Sequence, residues 1–269
     1  MSFEKDGYLS PEIEPFRQYV RGHDPSKQWF ELADDLNRLS LELLQKHETP
    51  LADRQRFTYS GLFVRAHQSF QAALILIERG MIGDARAVLR SAAESTIALY
   101  AVANDPEFVD KIIGDERHNQ RKMATITLDN PEYRALCSAQ EIEQMKATIA
   151  YIDRMKADPN AKIKVERIIW EQIARRQCPD LYILIYRSLS WDGTHVSANS
   201  LTRYFNYDAN GRATSLKVAP EIADVPEALL FACNSILWTL NTYEVLYPTD
   251  GLASKLQNLM ARFKTLSGT

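Results

Sequence analysis

The sequence has few of the features that announce a chemistry. Its 269 residues include three cysteines, Cys137, Cys178 and Cys233, far apart and odd in number. None shares a CxxC or Cys-His spacing, so neither a disulfide framework nor a zinc site is indicated, and reduced thiols are expected. There is no HExxH, no carboxylate-x-x-His pair on two helices, no Gly-rich phosphate loop and no GxSxG elbow. In Glu116-Arg117-His118 the acid and the imidazole stand two apart, which sends them to different faces of a helix. Neither a metal nor a cofactor is therefore expected. No uninterrupted apolar run approaches the ~20 residues of a membrane span. The first sixteen residues are acidic and lack a signal peptide's apolar core, so a cytoplasmic, membrane-free protein is expected. A formal net charge of -3 supplies no global basic field for nucleic acid, although a local basic groove is compatible with it.

What the sequence does contain is helical periodicity. The spacing predicts an all-α fold: a single large helical bundle over residues 26–269, preceded by an extended or partly ordered arm over 1–25. One β-hairpin is inserted near 201–217. Trp29, Phe30, Ala33, Leu36, Leu39, Leu43 and Leu44 mark an amphipathic helix ending near Thr49-Pro50. A second carries Leu62, Phe63, Ala66, Phe70, Ala73, Leu74 and Ile77, with Gly80 as its C′ residue and Asp84 as the N-cap of the next. That next helix has apolar residues on nearly every side, the pattern of a buried central helix. Asp105-Pro106 restarts the chain into a polar helix, and Asp129-Asn130-Pro131 opens another, read as continuous from Pro131 to Lys156. A helix is expected from Ile163 to about Arg176, and a strongly apolar one from Pro179. Asn210-Gly211 between β-prone residues reads as a type I′ hairpin turn. Long helices follow, from Pro220 to Tyr247 and from Leu252 to Leu266.

Two residue sets could carry chemistry. Arg86, Arg90 and Glu94 run along the central helix at four-residue steps. A guanidinium fixed in an apolar wall makes an anion clamp that Glu94 would orient or assist as a base; the alternative is a structural ion pair. The second set is Tyr186-Arg187-Ser188-Leu189-Ser190-Trp191-Asp192-Gly193-Thr194-His195, in which a buried helix runs into Asp-Gly and presents an imidazole near its end. Catalytic roles are accordingly expected for His195, Arg187, Arg90 and Glu94, and ligand contacts for Arg86, His67, Tyr186, Ser190, His118 and Arg121.

The run ERGMIGDARAVLRSAAESTIALYAVANDPE and the segment LYILIYRSLSWDGTHVSANSL, with Tyr186, Ser190 and His195, resemble a bacterial and archaeal domain of unknown function, family 5677. The resemblance covers roughly residues 58–245 and carries no established activity. It implies an all-helical fold similar in style to HEPN proteins, many of them metal-independent ribonucleases of toxin and anti-phage systems. HEPN ribonucleases set an Arg four to six residues before a His, close in space across a dimer; here seven residues separate Arg187 from His195. By this resemblance His195 is the acid or base at a ribose 2′-OH, Arg187 or Arg90 binds the phosphate, and Glu94 holds an arginine in place. Three readings stay open: a HEPN-like ribonuclease or phosphodiesterase acting in defence, a non-catalytic module binding a nucleotide, RNA or protein partner, and a structural polar network. Helical proteins with such broad apolar faces often dimerise, so a homodimer is expected.

Overall fold

The computed structural model describes residues 2–48, 52–190 and 198–268. They are helical apart from one small two-stranded antiparallel sheet, so the fold is all-α with a β-hairpin. The sequence contains no linker, yet the chain groups into two compact units: residues up to Ala103 together with those from Glu171 onward, and the stretch Asn104–Trp170.

The larger unit begins with α1 (Phe3–Asp6), a 3₁₀ turn (Gly7–Leu9) and α2 (Ile13–Gly22), so much of the expected arm is helical. Ile13 and Val20, seven residues apart, lie on one side of α2 and are buried where it packs on α3 (Ser26–Lys46). α3 and α4 (Arg54–Ile77) bury the apolar stripes that their spacing predicts; Phe30, Phe63 and Phe70 are almost inaccessible to water. Each such side chain stabilises the fold by about 1.5–3 kcal/mol. Thr49 and Pro50, the expected end of α3, lie outside the described residues.

The turn from α4 to α5 (Ile82–Asn104) is a Schellman motif. Met81 N–H donates to the Leu76 carbonyl (3.0 Å) and Gly80 N–H to that of Ile77 (2.9 Å), with Gly80 at φ +72°. Because the Met81 carbonyl already accepts from Ala85 N–H, α5 starts before Asp84. Asp84 is thus not the expected N-cap but a first-turn acid at the positive end of the helix dipole. α5 is buried on nearly every side, as its composition implies. Thr96 and Thr239 share a buried hydrogen bond (2.8 Å) that ties α5 to α13 (Val225–Leu246). α13 packs on α3, α4 and α14 (Leu252–Ser267), with Ala228, Leu229, Ala232, Ile236, Leu237 and Leu240 all inside.

The smaller unit holds α6 (Phe108–Asp129), α7 (Pro131–Ala135) and α8 (Ala139–Ala157). The helix expected to run unbroken from Pro131 to Lys156 is interrupted, because Ser138 and Glu141 form a reciprocal capping box that starts α8 afresh. The helix expected from Ile163 is also shorter. Residues 158–169 contain no regular helix, and only Trp170–Gln177 (α9) is helical. Backbone contacts with α6 hold that irregular stretch: Ile168 N–H donates to Asp115 (2.8 Å), and Lys164 lies so close to Gly114 that a Cβ there would sit 2.1 Å from the Lys164 carbonyl.

Back in the larger unit, residues 179–190 form one helical stretch of α10 (Pro179–Leu181), a π-helical turn (Tyr182–Tyr186) and α11 (Arg187–Leu189). After α12 (Ala198–Thr202), β1 (Phe205–Tyr207) pairs with β2 (Ala213–Leu216), both fully exposed. The hairpin turn is not type I′. No residue other than glycine has positive φ among the described residues, so Asn210 cannot take its I′ conformation. Asp208 accepts from the N–H groups of Asn210 and Arg212 (2.9 Å each), which sets a wider turn with Gly211 alone left-handed. Among the described residues no helix is long and apolar enough to cross a membrane.

Two helical glycines should answer the same substitution with opposite signs. Gly114→Ala forces α6 away from Lys164 and should cost about 1–3 kcal/mol. Gly61→Ala on α4, where an added Cβ meets nothing within 4 Å, should gain about 0.5–1 kcal/mol. Urea denaturation of both variants reads the two signs.

Candidate functional site

Residues four apart on an α-helix are displaced by 400°, so a row of i+4 positions drifts by about 40° at each step. On α5 that drift alone would leave Arg86, Arg90 and Glu94 on one broad face, but the groups packed opposite them divide the row. Arg86, with a side chain 7% exposed, reaches α13: it donates to Glu227, lies 3.9 Å from Asp224 and stands over the Phe231 ring (5.8 Å). Arg90 and Glu94 turn the other way, toward residues 179–190. Arg86 is therefore not brought to the Arg90 cluster.

Arg90 and Glu94 meet Tyr186 and Ser190, a pair that the helical stretch places together on one face. Arg90 Nε donates to Ser190 Oγ (3.0 Å) and Nη2 to the Tyr186 hydroxyl (3.1 Å). That hydroxyl donates to Glu94 Oε1 (3.1 Å), which also lies 3.1 Å from Arg90 Nη2. Ser190 Oγ donates to the Tyr186 carbonyl (2.7 Å), and the guanidinium stands 5.2 Å from the Tyr186 ring centre. The cluster is reachable by solvent, the Arg90 and Glu94 side chains being 22% and 29% exposed. Among the described residues, Arg90 Nη1 and Glu94 Oε2 have no partner. One edge of the guanidinium and one carboxylate oxygen thus remain open to a ligand.

A second group adjoins this one and was not legible as a site. The Tyr182 ring stacks on Tyr186 (5.9 Å), and its hydroxyl donates to Glu171 (2.8 Å), which pairs with Arg175 at 2.6 Å. The available signals were Tyr182, Tyr186 and Ser190 at four-residue steps and Glu171 with Arg175 at i,i+4. The π turn carrying both tyrosines is an arrangement frequent at functional sites. Burial above all raises the Tyr186 phenol's pKa, with Glu94 raising it and Arg90 lowering it. At neutral pH it is therefore a neutral hydroxyl that gives one hydrogen bond and takes another. Hydrogen bonds from Tyr182 and Arg175 hold the Glu171 carboxyl below its usual range.

The other candidates are dispersed. Arg187 is exposed, and among the described residues its charge bears on Glu171 of the second group, whose carboxyl it helps to hold down. His67 is buried in α4, and neither ring nitrogen has a partner. His118 and Arg121 lie on α6 in the smaller unit, where Arg121 pairs with Asp153 (2.6 Å). His195 lies outside the described residues. Among the described residues no three His, Cys, Asp or Glu side chains are grouped to hold a metal ion.

Two substitutions separate the roles of these groups. Tyr186→Phe removes the hydroxyl between Arg90 and Glu94 and should cost about 1 kcal/mol. Its raised pKa means that the phenol's contribution is complete below its ordinary value of 10 and lost as pH rises through the raised one. The variant's stability should therefore decline less steeply in alkali than that of the parent chain. His67→Leu removes two buried, unpartnered ring nitrogens and should raise stability by about 1–3 kcal/mol. Burial lowers the His67 pKa below 6.5, so stability present above that value is lost as pH falls through the lowered one. The variant should resist mild acid better in thermal melts.

The geometry can be set beside known proteins. No curated protein and no solved structure matches the chain significantly. A family model does match, over residues 57–213, which takes in α4, α5, the smaller unit, the tyrosine-bearing stretch and β1, and ends within the hairpin. That match spans Arg90, Glu94, Tyr186, Ser190 and His195 and more than half of the sequence, and the chain belongs to the family of unknown function DUF5677.

Proposed function

We propose that the Arg90 cluster binds a phosphodiester and that the protein is a HEPN-like, metal-independent ribonuclease or related phosphodiesterase of a toxin or anti-phage system. The observation that carries this reading is the anchored guanidinium. Ser190, Tyr186 and Glu94 fix Arg90 through Nε and Nη2, while Nη1 stays open on a solvent-reachable face. A planar cation held in this way is pre-organised for phosphate oxygens, and the Tyr186 hydroxyl beside it, neutral at this pH, adds no negative charge to repel an anion.

In this reading His195 removes the proton from a ribose 2′-OH, and the oxygen attacks the adjacent phosphorus. The bond to the 5′ oxygen breaks, and that oxygen leaves with a proton. Arg90, assisted by Arg187, balances the negative charge that grows on the phosphoryl oxygens. Two copies working together in the cytoplasm belong to the same proposal.

A second reading is favoured by the closure of the Arg90–Tyr186–Glu94 triangle, in which Arg90 Nη2, the Tyr186 hydroxyl and Glu94 Oε1 satisfy one another within the chain. It makes the cluster a binding module for a nucleotide or RNA without turnover, or a network that specifies helix packing.

The discriminating measurement uses labelled single-stranded RNA with a chelator present. The parent chain should cleave it to fragments ending in a 2′,3′-cyclic phosphate, and Arg90→Ala and His195→Ala should each slow cleavage about 100-fold or more. Intact RNA, or an unchanged rate in His195→Ala, overturns the catalytic reading. Thermal stabilisation by RNA without products would then favour the binding module.

A further inference from the structure

α8 is a helix with an unburied seam. Ile142, Met145, Ile149 and Ile152 recur along it at helical spacing, yet Ile152 is its only buried residue. Beyond its first two turns α6 buries Ala124 alone. Along the two helices runs a groove of about 890 Å³, lined largely by apolar and small groups, among them Met123, Ala124, Met145, Ala147, Thr148 and Tyr151. Met123 is 61% exposed, and at the tip of the unit Leu136 is 85% exposed. Small residues let another helix come close, and methionines adapt to its surface. Two helices with this little interior are half of a four-helix arrangement.

We propose that the groove is a self-association surface in which a second copy of this chain lays the same two helices antiparallel, about a two-fold axis. The charges at the ends of the groove select that occupant. α6 ends at Asp129 and α8 begins at Ala139, and after that short connection the two pack side by side with Arg121 of α6 against Asp153 far along α8, so they run in opposite directions. Arg117, in the first half of α6, and Glu141, in the first turn of α8, therefore line opposite ends of the groove. A two-fold axis through the middle, near Ala124, brings Arg117 of each copy to Glu141 of the other. Parallel stacking would set like charge on like. One surface that carries apolar, small and uncharged polar groups, Gln120 and Gln144 among them, between oppositely charged ends complements itself, which is the requirement of an isologous interface. The inference rests on the groove alone and is independent of the phosphodiester reading.

Sedimentation equilibrium of the full chain tests it. The parent should be dimeric at about 100 µM, and Thr148→Glu should weaken the dimer at least about tenfold with helicity unchanged by circular dichroism. Arg117→Glu should also weaken it by setting like charges together, and the double variant Arg117→Glu/Glu141→Gln, which removes that repulsion and keeps the capping box, should recover part of the loss. Where Thr148→Glu loses helicity, this pair of variants decides. A monomeric parent, an unchanged mass in Thr148→Glu with its helicity intact, or a double variant no tighter than Arg117→Glu overturns the proposal.

Discussion

A charge on a helix that is buried on almost every side has to find a partner, and α5 carries two guanidiniums. That constraint organises the larger unit. Arg86 is neutralised by Glu227 of α13 and by Asp224 just before it, which fixes the rotation of α5 against α13. Arg90, one turn on and rotated by the drift of the helix, is neutralised within α5 by Glu94 and bridged by Tyr186 and Ser190 to the 179–190 stretch. The first arginine is almost sealed from solvent. The second keeps an open edge, so the same need for a partner leaves a fixed cation facing solvent.

The tyrosine-bearing stretch contributes through its irregularity. A π turn widens the helix at Tyr182–Tyr186 and sets two stacked phenols between Arg90/Glu94 on one side and Glu171/Arg175 on the other. Arginine stands over each ring, Arg90 over Tyr186 and Arg175 over Tyr182, so cations flank both aromatic faces. Each of these arginines is paired with a carboxylate, Arg90 with Glu94 and Arg175 with Glu171, so charges of both signs alternate along the row.

The smaller unit follows a different economy. Its helices are held by a capping box, by the Arg121–Asp153 pair and by the close pass of Lys164 over Gly114, with little interior of its own. A glycine inside a polar helix was the one sign in the sequence that backbone would approach there. The capping box Ser138–Glu141 was equally visible as S-x-x-E, and it outweighs the periodicity that suggested one long helix from Pro131.

Burial periodicity by itself determined the helical class, the order of the long helices and the apolar faces of α3, α4, α5 and α13, because those faces recur every three to four residues and need no knowledge of their partners. It also placed Arg90, Glu94, Tyr186 and Ser190 on helix faces, as two pairs four residues apart. What tertiary structure alone decided is that these pairs, nearly a hundred residues apart, meet, that Arg86 does not join them, and that Glu171, Tyr182 and Arg175 extend the row. The reason is geometric. Spacing along a chain fixes the direction of a side chain on its own helix, whereas the group opposite it depends on how two helices are rotated and packed. That rotation is set by contacts between residues distant in sequence.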